Sequence, residues 1–117
     1  MSPSKKLPPS LRLRRAGGTS RHDERAAEQI AREAALFIAR EAGPGSLITV
    51  THAVLLAHGE RMSVFVSVFP EERGRAALAF LERQRAAFSE YLKRHTRVRP
   101  LPRIDFMLDD RSQNAKA

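Results

Sequence analysis

A chain of 117 residues with 42% hydrophobic content and no Cys is the size of one domain and can bury a modest core, and it excludes a disulfide framework or a thiolate metal site. No apolar run reaches the roughly 20 residues that span a bilayer, and the N-terminus lacks the apolar core of a signal peptide, so the sequence predicts a cytoplasmic protein with no membrane partner. The formal charge of +8 is unevenly placed: residues 1–18 carry +5, 19–82 carry −2, 83–103 carry +6 and 104–117 carry −1. Two basic blocks around a nearly neutral body point to a polyanion, and RNA fits better than a lipid surface because neither block has a large apolar face.

Residues 1–18, rich in Pro, Gly and cations, have too little apolar periodicity to fold alone and are expected to form a disordered basic arm. Ser20 to Asp23 resembles a capping box with Asp in place of Glu, and Asp23 and Glu24 suit a helix N-terminus. Ala27, Ile30, Ala31, Ala34, Phe37, Ile38 and Ala42 then fall on one helical stripe, which Gly43-Pro44-Gly45 stops. The opposite face alternates Glu24, Arg25, Glu28, Arg32 and Glu33, the pattern of a solvated surface.

Residues 47–69 form the only long, weakly charged, β-branched run and are predicted to make a hairpin. In its second arm Met62, Val64, Val66 and Val68 alternate with Ser63, Phe65, Ser67 and Phe69, the period of two of a strand with one face on a core. In its first arm Ile48, Val50 and Val54 share one parity while Leu47, Ala53 and Leu55 share the other. One face switch, such as a bulge, reconciles them. Gly59 marks the connection. Phe65 and Phe69 lie off the Val face, and packing under a helix is expected to be their role.

A second helix opens at Pro70-Glu71-Glu72. Its stripe of Ala77, Leu78, Leu81, Phe88 and Leu92 receives Arg85 near the middle. A cation is a poor guest there. Either Arg85 snorkels or the helix breaks at Gln84-Arg85-Ala86, and a break is the expectation. Pro100 and Pro102 end the helical region, and Ile104, Phe106 and Leu108 alternate in a third strand that can pair in parallel after the long crossover. The tail beyond, residues 111–117, is polar and expected to be flexible. The expected fold is α+β: one domain over residues 19–110, ordered α-β-β-α-(kink)-α-β, with helices on one face of a three-stranded sheet.

Catalytic chemistry has little support. His22, His52, His58 and His95 show no paired i, i+4 spacing and no H-E-x-x-H, and G-x-S-x-G, Walker and G-x-G-x-x-G patterns are missing. Asp105, Asp109 and Asp110 read as capping and solvating acids rather than metal ligands, so neither enzyme activity nor a cofactor is expected. The element order is that of a K-homology domain of the second type, whose G-x-x-G clamp is absent.

The chain also resembles the bacterial ribosome-binding factor A family as a divergent member. The resemblance spans about residues 20–110. It rests on the amphipathic first helix, ITVTHAV at 48–54, VFVSV at 64–68, the Arg97-Val98-Arg99 run, and P-x-I-x-F-x-x-D at Pro102, Ile104, Phe106 and Asp109. In that family the interhelical kink reads Ala-x-Gly. Gln84-Arg85-Ala86 takes its place, and His58 stands where the hairpin connection usually has Asp. The resemblance implies a non-catalytic assembly factor of ribosome biogenesis that binds the small (30S) subunit and its 16S rRNA in late maturation and rRNA processing, with a part in cold adaptation. Arg97 and Arg99 match the family pattern; Arg85, Lys93, Arg94 and Arg103 join them as RNA-binding candidates by charge placement. A monomer is expected. The alternative reading is a protein-interaction module of the same fold that docks a partner strand on a sheet edge.

Overall fold

The computed structural model describes residues 21–42 and 47–109. The basic arm, the Ser20 cap, the Gly43-Pro44-Gly45 stop and the tail from Asp110 lie outside the described residues. The elements are α1 (Arg21–Glu41), β1 (Leu47–Leu56), β2 (Arg61–Phe69), α2 (Gly74–His95) and β3 (Arg103–Leu108). The sheet order is β1-β2-β3. β1 pairs with β2 antiparallel and β2 with β3 parallel. The long crossover through α2 makes the parallel pairing possible.

The hairpin carries the frame switch that its two parities demand. Pairing slips between Val50 and His52, so Thr51 is the extra residue of a bulge. Before it Ile48 and Val50 face the core, opposite Val68 and Val66; after it Ala53 and Leu55 do, opposite Val64 and Met62. A bulge leaves a ladder group without its regular partner. Here the Thr51 hydroxyl donates to the Phe65 carbonyl at 3.2 Å. The connection turns through three successive left-handed residues, Ala57, His58 and Gly59, with φ of 52°, 54° and 91°. Gly at the last suits the largest positive φ.

Both helices cover the Val face, α1 above β1 and α2 above β3. Ile30, Met62, Val64, Val66, Leu81, Phe88, Leu92 and Ile104 are all within 2% of complete burial. Phe88 is the hub. Its ring centroid lies 5.1 Å from Phe37, 5.9 Å from Phe106 and 6.2 Å from Tyr91, ties that join α1, α2 and β3. Such tilted and stacked aromatic contacts stabilise beyond area burial alone.

Two expectations fail. First, α2 does not break at Gln84-Arg85-Ala86; it is one helix of 22 residues. Arg85 snorkels instead, reaching Asp105 on β3 at 3.5 Å and Glu82 at 3.4 Å. Asp105 is only 16% exposed and also accepts from Arg61, whose Nε donates at 2.9 Å. A carboxylate at the edge of the stripe removes the penalty that would have forced a break. Second, Phe65 and Phe69 are not under a helix. They lie on the open face of the sheet, where Phe69 stays 64% exposed and Phe65 stacks on His52 with ring centroids 4.6 Å apart and planes 3° apart. With both helices on the Val side, the other parity of β2 has, among the described residues, no helix to pack beneath.

Candidate nucleic-acid interface

The cations meet where α2 ends. A helix C-terminus leaves four carbonyls without intrahelical partners and a partial negative charge. Lys93, Arg94 and His95 occupy the last turn. Those of Leu92 and Lys93 are closed by residues beyond the helix, and His95 adds a side-chain bond one residue further back. His95 Nδ1 donates to the Tyr91 carbonyl at 2.8 Å; the Thr96 amide and hydroxyl donate to Leu92 at 2.9 and 3.0 Å; Arg99 Nη2 donates to Lys93 at 2.8 Å. Arg99 Nη1 further donates to the Val98 carbonyl at 2.7 Å. The turn is therefore fixed by its own side chains, and it projects Arg97 outward, exposed and with no ion-pair partner among the described residues.

The N-terminal turns of α1 complete this end. A cleft of about 200 Å³ lies between His22, Arg25, Ala26 and Gln29 of α1 and Arg97, Val98 and Arg99. Arg25 and Arg97, neither of them ion-paired among the described residues, and the capping Arg99 thus line one concavity. Arg94 is exposed on the last turn of α2, and Lys93 is exposed with an ion pair to Glu90 at 3.1 Å. Such a pair on a solvated surface is weak and readily exchanged for a phosphate. Arg103 is exposed at the start of β3, in register with Arg61, and its amide donates to Glu60 at 2.9 Å.

Of the six sequence-selected residues, Lys93, Arg94, Arg97 and Arg99 are brought together around the end of α2, with Arg103 opening the next strand. Arg85 stands apart. Eight residues back along α2, it is about 12 Å from Lys93 by helical rise, and it is paired with Asp105 and Glu82. Arg25 and His22 are not legible as partners of this turn: in the sequence Arg25 belongs to a mixed-charge helix face and His22 to a helix end, both some 70 residues from Arg97, and only the packing of α1 beside the 97–99 turn places them in the cleft. Among the described residues no group of His, Asp or Glu could hold a metal ion, and no helix is long and apolar enough to cross a membrane.

Behind the cleft, the α1–α2 interface is held by Tyr91. Its hydroxyl donates to Glu33 at 2.9 Å, its ring packs on Phe37 and on His95, and the Arg40 guanidinium lies 5.3 Å from its centroid. Burial raises the phenol above its usual value of 10.0, the hydrogen bond to Glu33 and that carboxylate's charge raise it further, and Arg40 opposes them.

A three-stranded sheet with one antiparallel and one parallel pairing, helices on one face, and no G-x-x-G clamp defines an α+β domain like the K-homology domain of the second type. In place of the clamp, residues 84–86 lie inside a continuous helix, where the backbone amides are consumed by helical bonds and cannot cradle phosphate. Side chains at the helix end are what remain to meet an anion.

The chain belongs to the ribosome-binding factor A family, whose sequence model matches residues 22–117. It is similar to the crystal structure of ribosome-binding factor A from Thermus thermophilus, with 34% identity and a TM-score of 0.63 over 72% of this chain and 92% of that one. It is also similar to a homology model of the Thermus thermophilus factor fitted into a cryo-EM map of a 30S complex, with 35% identity and a TM-score of 0.61 over 72% and 91% of the two chains. A solution NMR structure from Thermotoga maritima, at 20% identity with a TM-score of 0.61 over 76% and 88%, shares the fold. No curated protein matches the sequence.

Proposed function

We propose that this protein is a non-catalytic, monomeric assembly factor that binds the small ribosomal subunit in the cytoplasm through folded 16S rRNA during late maturation. Cold adaptation is the setting that the family resemblance implies. The observation that carries the reading is the cationic end of α2. A capped, rigid turn presents Lys93, Arg94, Arg97 and Arg99 beside Arg25 of α1, with Arg103 on the adjoining strand. Cations on fixed elements contact several phosphates without a large ordering cost, and they position a protein on RNA without reading its sequence. Arg85, tied to Asp105, serves the fold more than the RNA. The relative fitted into a 30S complex map supports the small subunit as the polyanion.

Sedimentation of cell extract tests the proposal. The protein is expected to travel with free small subunits at low salt and to leave them as salt rises, because each neutralised phosphate releases counterions. A protein that stays at the top of the gradient at low salt overturns the reading.

A further inference from the structure

The opposite flank of α1 faces the outer edge of the sheet. Among the described residues β1 is an edge strand, bonded only to β2. Between it and α1 lies a groove of about 580 Å³, lined by residues 51–55 on the strand side and by Asp23, Glu24, Ala27, Glu28, Ala31 and Arg32 on the helix side. Consecutive strand residues point to opposite faces. A cavity that touches five in a row must therefore run along the backbone edge rather than above either face. Its strand wall is a row of outward amides and carbonyls, which accepts a further strand by β-augmentation. Ala27 and Ala31, the small residues of the helix wall, leave the room.

Charge selects the occupant. In a chain of net +8 this helix wall has, among the described residues, three carboxylates, Asp23, Glu24 and Glu28, against the single cation of Arg32. Glu24 and Glu28 are exposed. Phosphate is repelled from such a wall and cations are drawn to it. The spacing fits too: four residues of helix place Glu24 and Glu28 about 6 Å apart along the axis, close to the roughly 6.7 Å between alternate residues of an extended strand.

We propose that this groove takes an extended, Lys/Arg-rich segment of a partner protein, which adds a strand to β1 and sets alternate cations against Glu24 and Glu28. The proposal is independent of the RNA reading, which uses the other flank of α1 and the end of α2.

The experiment is an NMR titration of the isotope-labelled full chain with the octapeptide (Lys-Val)4. The octapeptide (Glu-Val)4 and an eight-nucleotide oligouridylate serve as controls. Amide shifts and slowed hydrogen exchange are expected at residues 51–55 and along the first three turns of α1 with the basic peptide alone. The double variant Glu24→Lys/Glu28→Lys is expected to weaken that binding tenfold or more. Ala31→Leu, which fills the groove without changing charge, is expected to weaken it as well, and both variants should keep the wild-type circular dichroism. Overturning results are no shift at 51–55 with (Lys-Val)4, equal shifts there with either control, full affinity in both variants, or occupation of the edge by a second copy of the chain, seen as dimerisation that the peptide does not reverse.

Discussion

Arg97 and Arg99 are two residues apart and carry the same charge, yet replacing each by Ala is expected to damage different properties. Arg99 donates to the Lys93 carbonyl at 2.8 Å and to Val98 at 2.7 Å, and its charge faces the negative end of α2. A charge-to-helix-end interaction contributes about 0.3–1 kcal/mol on an exposed surface, and lost hydrogen bonds to a charged donor add a comparable amount once solvent exposure is allowed for. Arg99→Ala should therefore cost about 1–1.5 kcal/mol, a fall in Tm of roughly 4–10 °C for a domain of this size. Arg97 makes no such bonds among the described residues. Arg97→Ala should leave stability within about 0.5 kcal/mol while removing one phosphate contact, which lowers the slope of log K against log salt by about 0.7–0.9. Thermal melts followed by circular dichroism, and binding to purified small subunits between roughly 50 and 200 mM salt, separate the two. An Arg97→Ala protein that melts as low as Arg99→Ala and keeps the wild-type salt slope would refute the division of labour drawn from the capping geometry.

Two further outcomes are expected. Tyr91 is the only tyrosine and the chain has no Trp, so a phenolate absorbance titration reads one group and should place its midpoint above 10. Because the folded value exceeds the unfolded 10.0, the stabilisation is fully present below pH 10 and is lost as pH rises through the folded value; Tyr91→Phe should lose about 1 kcal/mol at neutral pH and this alkaline dependence with it. Asp105→Asn leaves Arg61 and Arg85 without their shared carboxylate and should cost about 1–3 kcal/mol in urea unfolding, whereas a change below about 0.3 kcal/mol would remove the explanation given for an unbroken α2.

The sequence was most legible where a single strand decides the outcome. Met62, Val64, Val66 and Val68 all point to the core as their alternation requires, and the clash of parities between Val50 and Ala53 required a face switch that the structure puts at Thr51. Legibility failed where a distant residue intervenes. Arg85 looked intolerable on the stripe because Asp105, 20 positions later, was not visible as its partner. Phe65 and Phe69 are expected beneath a helix because alternation says that one face is covered without saying how the second face is used. The cationic end was half readable: the charge block marked residues 83–103, but the contribution of Arg25 depends on how α1 packs, and the capping duty of Arg99 depends on the path of the chain after His95.

The extra residue at Thr51 also sets how this hairpin can change by insertion and deletion. On either side of it the strand keeps a two-residue beat, but the two beats are out of phase by one. Deleting Thr51 itself would join them into one unbroken alternation with Ile48, Val50, Ala53 and Leu55 still turned toward the helices. A residue added to either half has no such escape. It throws every position beyond it onto the wrong face unless a second bulge forms. β1 therefore holds one residue in reserve against shortening and none against lengthening, and the Thr51 hydroxyl that occupies the Phe65 carbonyl marks where that spare residue is kept.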